Sequence, residues 1–251
     1  MISAILFDKD GTLFDFNTSW SAWALDFLNA LAGGDPMRAE RLAARIGFDW
    51  HAGRFRADSC VIAGTDAEAA TALLPLLPGM TKAALIARIA RTAAEAPMAE
   101  AVPLAPFLDD LAARGLHLGV ATNDSEYAAR AHLRTAHIHD RFAFIAGADS
   151  GHRGKPDPGM CLAFAAAVGI APENILMVGD SLHDLHAGRA AGMRTLGVLT
   201  GMARAAELAP HADIVLPDIG ALADVLGPGN RLNTTGSARN STQTGSQSVA
   251  N

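Results

Sequence analysis

The sequence predicts an α/β fold in which a Rossmann-like parallel sheet carries an inserted, all-helical domain. Short apolar runs rich in β-branched residues alternate with Ala-rich helical stretches, which is typical of βαβ units with right-handed crossovers. The alternation stops once, between residues 17 and 100, where Ala, Leu and Arg recur at helical spacing and no strand is evident. An insertion after the first strand explains both observations.

Six apolar runs are predicted to form the sheet. They are almost continuously apolar, which favours strands buried on both faces. The predicted strands are residues 2–7, 116–121, 142–146, 175–178, 195–199 and 214–216. The predicted core helices are residues 104–114, 125–135, 158–168, 182–191 and 202–208.

This pattern divides the chain into three parts. Residues 1–15 and 101–226 are predicted to form a catalytic core, and residues 16–100 a helical domain, called the cap from here on. The polar run at residues 17–19 offers an N-cap for the first cap helix. Residues 227–251 are rich in Ser, Thr, Gly and Asn without periodicity, so we expect a disordered tail.

Composition and charge narrow the range of partners. The chain has 251 residues with a net charge of −6 and no basic block, so we expect no nucleic-acid partner. Its apolar runs are too short for a membrane span, and its first residues do not resemble a signal peptide. We therefore expect a cytoplasmic protein that does not bind a membrane. Its oligomeric state is not predicted.

Polar side chains follow several of the predicted strands. Because the carboxyl ends of parallel strands share one edge of a sheet, where open α/β sheets bind ligands, these side chains are expected to converge. They are Asp8, Asp10, Thr122, Asn123, Asp124, Lys155 and Asp180.

The residue types in this group favour phosphoryl chemistry. Several carboxylates make a hard oxygen site suited to Mg²⁺. A lysine ammonium, a threonine hydroxyl and loop N–H groups suit a phosphate. One carboxylate can attack phosphorus, and a second, two residues away, can move the protons.

Four short motifs carry a resemblance to a known family. They are DKDGT at residues 8–12, GVAT at 119–122, GKPDP at 154–158 and GDSLHD at 179–184. In this order they resemble the four motifs of the haloacid dehalogenase superfamily, specifically its phosphatases, over residues 1 to about 226. The insertion resembles that family's C1 cap. With AGRAAGM at residues 187–193, the chain looks like the phosphoglycolate-phosphatase-like branch.

The resemblance implies a role for each motif residue. Asp8 would be the nucleophile, and Asp10 the general acid and base. Thr122, Asn123 and Lys155 would hold the phosphoryl group, Asn123 through its backbone N–H.

The resemblance also implies a metal site. Mg²⁺ would be held by Asp8, by the backbone carbonyl of Asp10 and by Asp180. Asp184 would orient metal-bound waters or Lys155.

The cap offers weaker candidates. Arg54 and Arg56 could reach an anionic substrate, although surface arginines are common. Trp20 is at helical spacing with other aromatic residues, so it is a candidate for cap packing first and for substrate contact second. Lys9 should point toward the cap or the solvent if the strand geometry persists past Phe7, and either a surface ion pair or a contact with the substrate would explain it.

The resulting hypothesis is a Mg²⁺-dependent phosphomonoester hydrolase that acts on a small phosphorylated metabolite through an aspartyl phosphate. Phosphoglycolate is one candidate substrate, because of the branch that the chain resembles. A phosphomutase of the β-phosphoglucomutase kind shares all four motifs and stays open as an alternative. A non-catalytic binding protein on the same fold is a further alternative. A dehalogenase is disfavoured, since its first motif lacks the carboxylate found here at Asp10.

Overall fold

The computed structural model describes residues 1–233 and confirms the predicted α/β architecture. Its strands are β1 (Ala4–Phe7), β2 (Phe48–Asp49), β3 (Arg54–Phe55), β4 (His117–Ala121), β5 (Phe144–Ala146), β6 (Ile175–Gly179), β7 (Arg194–Val198), β8 (Ile214–Leu216), β9 (Leu226–Gly227) and β10 (Arg231–Leu232). Its α-helices are α1 (Phe16–Ala32), α2 (Pro36–Arg45), α3 (Asp66–Leu73), α4 (Lys82–Ala93), α5 (Leu104–Ala113), α6 (Glu126–Thr135), α7 (Gly159–Val168), α8 (Leu182–Ala190), α9 (Ala205–Leu208) and α10 (Leu222–Val225).

The six predicted strands form one parallel sheet in the order β5-β4-β1-β6-β7-β8. Strand β1 lies between β4 and β6, with Leu6 opposite Gly119 on one side and Met177 on the other. The chain builds outward from β1 in one direction and then returns to build in the other. This strand is therefore the topological switch point, where a crevice opens beyond the carboxyl ends.

Both faces of the sheet are buried, as the apolar strands require. Ile5 and Phe7 pack with α5, α6 and α10 on one face, in a cluster that includes Leu108. Ala4 and Leu6 pack with α7 and α8 on the other face. Alternate residues of β1 thus fix helices on opposite sides, which leaves the strand ends as the accessible edge.

The cap has a separate apolar cluster, built from α1 to α4. The prediction that it lacks strands is wrong, because β2 and β3 form a short antiparallel hairpin. Phe48 and Phe55 are paired across it and both are buried, while the Asp49 side chain accepts N–H bonds that close the turn. Two residues per strand are too few to produce a period-two pattern in the sequence.

Two neighbouring chain crossings join the cap to the core. The Asp15 N–H donates to the Ala99 carbonyl at 2.8 Å, and the Ala101 N–H donates to the Leu13 carbonyl at 2.9 Å. The side chain of Asp15 also caps α1 by accepting from the Thr18 N–H, so the N-cap lies before residues 17–19 rather than within them. The two crossings lie side by side at the proposed domain boundary.

Two further predictions concern the C-terminal part of the chain. The helix predicted for residues 202–208 is shorter, since α9 spans Ala205–Leu208. The tail predicted from residue 227 begins with an ordered hairpin, β9–β10, whose turn contains Asn230 and Gly229 at positive φ. The rest of the predicted tail lies outside the described residues.

Within residues 1–233, no helix combines the length and apolar character that a bilayer crossing requires.

Candidate active site

One cavity at the carboxyl edge of the sheet gathers the motif residues. Asp8 follows β1, Thr122 and Asn123 follow β4, and Asp180 follows β6. Lys155 arrives from the loop between β5 and α7. All five line the cavity, and Asp10 and Asp184 line it with them.

Lys155 links two of the carboxylates. Its Nζ lies 2.6 Å from Asp8 Oδ1 and 2.6 Å from Asp184 Oδ1, and it donates to the Ala121 carbonyl at 2.7 Å. Burial alone would lower the pKa of this lysine, but the carboxylates of Asp184 and Asp8 raise it. Lys155 is therefore a buried, permanent cation beside Asp8.

Asp8, Asp180 and Asp184 form a compact group of buried carboxylates. One oxygen from each lies within 4.8 Å of the others. Burial raises the pKa of Asp8 to about 7, opposed by Lys155 and reinforced by Asp184. Burial, then Asp184 and Asp8, also raise the pKa of Asp180. Hard oxygen donors that repel one another in a dry site fit a small divalent cation such as Mg²⁺.

Glycines let the backbone approach Asp180 closely. A Cβ on Gly11 would lie 2.5 Å from the Asp180 carboxyl, and one on Gly201 would lie 1.7 Å from Oδ2. The Thr200 hydroxyl donates to the Gly11 carbonyl at 2.6 Å, which ties the loop after β7 to the first motif. Gly201 lies outside the four motifs. Its place just after a strand of the same parallel sheet was the available signal.

The side chain of Asn123 makes three hydrogen bonds within the protein. Its Nδ2 donates to the carbonyls of Ala63 and Lys155 at 2.7 and 2.8 Å, and its Oδ1 accepts the Lys155 N–H at 2.7 Å. Thr122 is buried, and its Oγ1 accepts the Asp124 N–H at 3.1 Å. The Asn123 side chain thus fixes the lysine loop and the cap, and its predicted contact with phosphate rests on its backbone.

Lys9 differs from the expectation of a surface ion pair. Its side chain is 0% exposed, and its Nζ lies 2.7 Å from Asp10 Oδ1 and 3.0 Å from Asp124 Oδ2. It also lies over the Trp20 ring, 5.2 Å from the centroid. Asp10 and Asp124 together raise the pKa of Lys9 despite its burial. The ion pairs of Lys9 with Asp10 and Asp124 therefore explain why a lysine stands between Asp8 and Asp10.

His132 extends this network into the cap. Its Nδ1 lies 3.0 Å from Lys9 Nζ, and its Nε2 lies 2.8 Å from the Ala93 carbonyl. Because an ammonium can only donate, Nδ1 accepts and Nε2 carries the proton. Burial, and then Lys9, lower the pKa of His132 to about 4, so the ring is neutral. Among the nine histidines, no spacing signal distinguished this one.

The cap candidates separate clearly. Trp20 lines the cavity. Arg54 and Arg56 are exposed and do not line it, and Arg56 pairs with Asp58 at 3.0 Å. The surface hairpin that carries the two arginines turns them outward. Asp66, at the start of α3, lines the cavity instead and was missed, since a first-turn acid usually signals only a helix start.

Comparison with known proteins identifies the family of the chain. The family model described as haloacid dehalogenase-like hydrolase matches residues 2–192. A phosphoglycolate phosphatase from Xylella fastidiosa is 32% identical over 197 residues, covering 78% of this chain and 80% of that protein. One from Rhodospirillum rubrum is 36% identical over 133 residues, covering 51% of this chain. The chain spans only 55% of the length of that relative.

A solved structure shares the architecture. A predicted phosphoglycolate phosphatase from Haemophilus somnus superposes with a TM-score of 0.67 at 20% identity, covering 90% of this chain and 98% of that one. At this level of identity the likeness concerns the fold.

Proposed function

Because the chain belongs to the haloacid dehalogenase-like hydrolases, we propose that it hydrolyses a small phosphomonoester through an aspartyl phosphate on Asp8. The observation that carries the proposal is the contact of Asp8 with Lys155 at 2.6 Å in a cavity that two further buried carboxylates, Asp180 and Asp184, also line. A buried carboxylate beside a permanent cation can attack a phosphate dianion, because the cation offsets the repulsion between the two anions.

The first half of the reaction forms the intermediate. An Asp8 oxygen attacks phosphorus, the bond from phosphorus to the leaving oxygen breaks, and Asp10 gives its proton to that oxygen. Lys155 and the Thr122 hydroxyl hold the equatorial oxygens of the transferring group. Lys9 holds the Asp10 carboxyl in position at 2.7 Å.

The second half regenerates the enzyme. Asp10 takes a proton from water, the water oxygen bonds to phosphorus, and the bond from Asp8 to phosphorus breaks. The closed cap excludes other nucleophiles during both steps.

A metal ion completes the proposed site. Asp8, Asp180 and the backbone carbonyl of Asp10 would hold Mg²⁺, and Asp184 would orient Lys155, which it contacts at 2.6 Å. When bound, Mg²⁺ supplies positive charge that offsets the repulsion between Asp8 and a phosphate dianion.

Phosphate release from an aryl phosphate tests this proposal. Wild-type protein with Mg²⁺ should release phosphate, EDTA should stop it, and Asp8→Asn should abolish it while leaving the fold intact. Asp140→Asn removes an exposed core carboxylate and is the matched control. Undiminished release by Asp8→Asn would remove Asp8 from the mechanism.

The alternatives make different products. A phosphomutase would convert a sugar phosphate to its isomer without net phosphate release. A binding protein would neither release phosphate nor form an isomer. Product analysis of a panel of phosphorylated metabolites distinguishes the three. Phosphoglycolate enters that panel because relatives carry its name.

A further inference from the structure

Asp10, the general acid of the proposed reaction, has a buried support behind it. Lys9 Nζ lies 2.7 Å from Asp10 Oδ1, 3.0 Å from Asp124 Oδ2 and 3.0 Å from His132 Nδ1. The Lys9 side chain is 0% exposed, whereas that of Asp10 is 16% exposed. Of these four described residues, Asp10 and Asp124 line the cavity, and Lys9 and His132 do not. Lys9 and His132 are therefore placed to act on Asp10 rather than on a substrate.

Both ring nitrogens of His132 are used within the protein. Because an ammonium can only donate, Nδ1 accepts from Lys9, and Nε2 donates to the Ala93 carbonyl at 2.8 Å. The residue is 2% exposed, and its ring packs edge-on against Trp20 and Phe14 with centroids 6.0 and 6.5 Å apart. The ring cannot turn without breaking a buried hydrogen bond at each end. His132 is thus a fixed acceptor that holds Lys9 Nζ in place.

This support decides which oxygen of Asp10 carries the proton. Asp10 Oδ1 accepts from the Lys9 ammonium at 2.7 Å. A protonated carboxyl has one hydroxyl oxygen and one carbonyl oxygen, and only the carbonyl oxygen is free to accept from an ammonium in this way. The transferable proton is therefore on Oδ2. A shift of Lys9 would change the direction in which Asp10 donates, and misplacement by about 1 Å can cost about 100-fold in rate.

We propose that His132 is a positioning residue for the general acid, because it fixes the ammonium of Lys9 that in turn orients Asp10. This inference rests on the proposed phosphatase function and adds to it a residue outside the four motifs. Loss of the His132 acceptor should impair proton transfer to the leaving oxygen and spare the binding of the phosphoryl group. A histidine with a structural role alone would affect all substrates alike.

Two esters that differ in their need for an acid test the inference. 4-Nitrophenolate leaves phosphorus without a proton, whereas the leaving oxygen of ethyl phosphate needs one. Since kcat/KM reports the steps up to departure of the leaving group, the ratio of the two values isolates proton donation. This ratio is also independent of the fraction of each variant that is folded. Wild type with Mg²⁺ should hydrolyse both esters.

His132→Phe keeps an aromatic ring against Trp20 and Phe14 but removes both nitrogens. General acids contribute about 10²–10⁴-fold, so this variant should lower kcat/KM for ethyl phosphate by about tenfold or more and that for 4-nitrophenyl phosphate by less than about threefold. If the larger ring prevents folding, His132→Leu takes its place with the same expectation.

Two further variants identify the acceptor as the cause. His132→Gln has an amide oxygen that can accept from Lys9, so it should restore most of the lost activity on ethyl phosphate. His117→Phe replaces an exposed histidine at the start of β4, at the opposite end of that strand from the cavity. It is the control and should keep the wild-type ratio of the two esters.

The outcomes separate this inference from the proposed function. Equal losses on both esters, no loss on either, or a His132→Gln variant as slow on ethyl phosphate as His132→Phe would each overturn the positioning role. Wild type that hydrolyses the aryl ester alone would also overturn it, because an acid held in place assists the alkyl ester. Phosphate release from neither ester by wild type overturns the proposed function itself.

Discussion

Lys9 shows how one side chain can join two carboxylates of the candidate site to the cap. It contacts Asp10 and Asp124 on one side and His132 and Trp20 on the other. A buried charge of this kind is retained only because every neighbouring group is complementary to it. Arginine dominates the basic residues of this chain, and its planar fork would not fit a site that surrounds a compact ammonium.

Replacing this lysine should destabilise the protein. Lys9→Met leaves Asp10 and Asp124 buried without their cation, and breaking a buried pair in this way costs about 3–5 kcal/mol. Chemical denaturation measures the change. Lys82→Met, at an exposed lysine on the cap, is the control, for which about 0.5 kcal/mol or less is expected. Equal stabilities for the two variants would show that the Lys9 network contributes nothing.

His132 should give the protein a specific pH dependence. Its pKa is lowered to about 4 in the folded state against 6.5 in the unfolded state, so protons bind the unfolded state first. The stability of wild type relative to His132→Gln should therefore fall as the pH drops from about 6.5 to about 4, by up to about 3 kcal/mol. Denaturation of both proteins across this range measures it. A difference that stays constant would contradict the buried neutral imidazole.

Between elements, the carbonyl of Ala63 is one of the groups through which the cap contacts the core. Ala63 precedes α3 at a φ of 56°, and its carbonyl accepts from Asn123 Nδ2 and from His183 Nδ1, the latter at 2.9 Å. His183 lies in the first turn of α8 and is itself part of the fourth motif. The helix that carries Asp184 thus also makes a hydrogen bond to the cap.

Loosening this contact should open the cap without changing the chemistry. His183→Ala removes one hydrogen bond, of about 1 kcal/mol, so the open population should rise about fivefold. Hydrogen exchange at residues 61–65 should accelerate by a similar factor. His186→Ala is the matched control, since His186 is on the same helix but contacts His211. Unchanged exchange in His183→Ala would mean that this bond does not hold the cap.

At the scale of the whole molecule, the mutual repulsion of three buried carboxylates is a stability term. One oxygen from each of Asp8, Asp180 and Asp184 lies within 4.8 Å of the others, and burial together with the neighbouring carboxylates raises the pKa of Asp8 and of Asp180. Binding of a dication to the folded state alone should stabilise the fold through mass action.

Thermal unfolding measures this coupling. At a Mg²⁺ concentration a hundredfold above Kd, wild type should gain about 2.7 kcal/mol, a rise in Tm on the order of 5–10 °C. Asp180→Asn should lose most of that gain and should be more stable than wild type in EDTA, because one repelling carboxylate is gone. Asp140→Asn should behave as wild type. An equal gain in Asp180→Asn would place the metal elsewhere.

The sequence predicted the framework better than the contacts. All six core strands were expected close to their observed positions, because buried parallel strands are continuous apolar runs. The motif residues were expected at one edge for the same topological reason. The strands of the β2–β3 hairpin are too short to leave a pattern in the sequence, while the burial of Lys9 and the place of Asp66 depend on how the cap packs on the core. Long-range packing of that kind leaves no periodicity in the chain.

The chemical state of Asp8 during turnover tests the proposed aspartyl phosphate most directly. Wild-type protein mixed with substrate and Mg²⁺, quenched rapidly in acid and analysed by mass spectrometry, should carry one phosphoryl group on the peptide that contains residue 8. Asp10→Asn, which slows hydrolysis of the intermediate, should accumulate more of it. Turnover with no phosphoryl group at Asp8, or with the group on another residue, would contradict the proposal that Asp8 is the nucleophile.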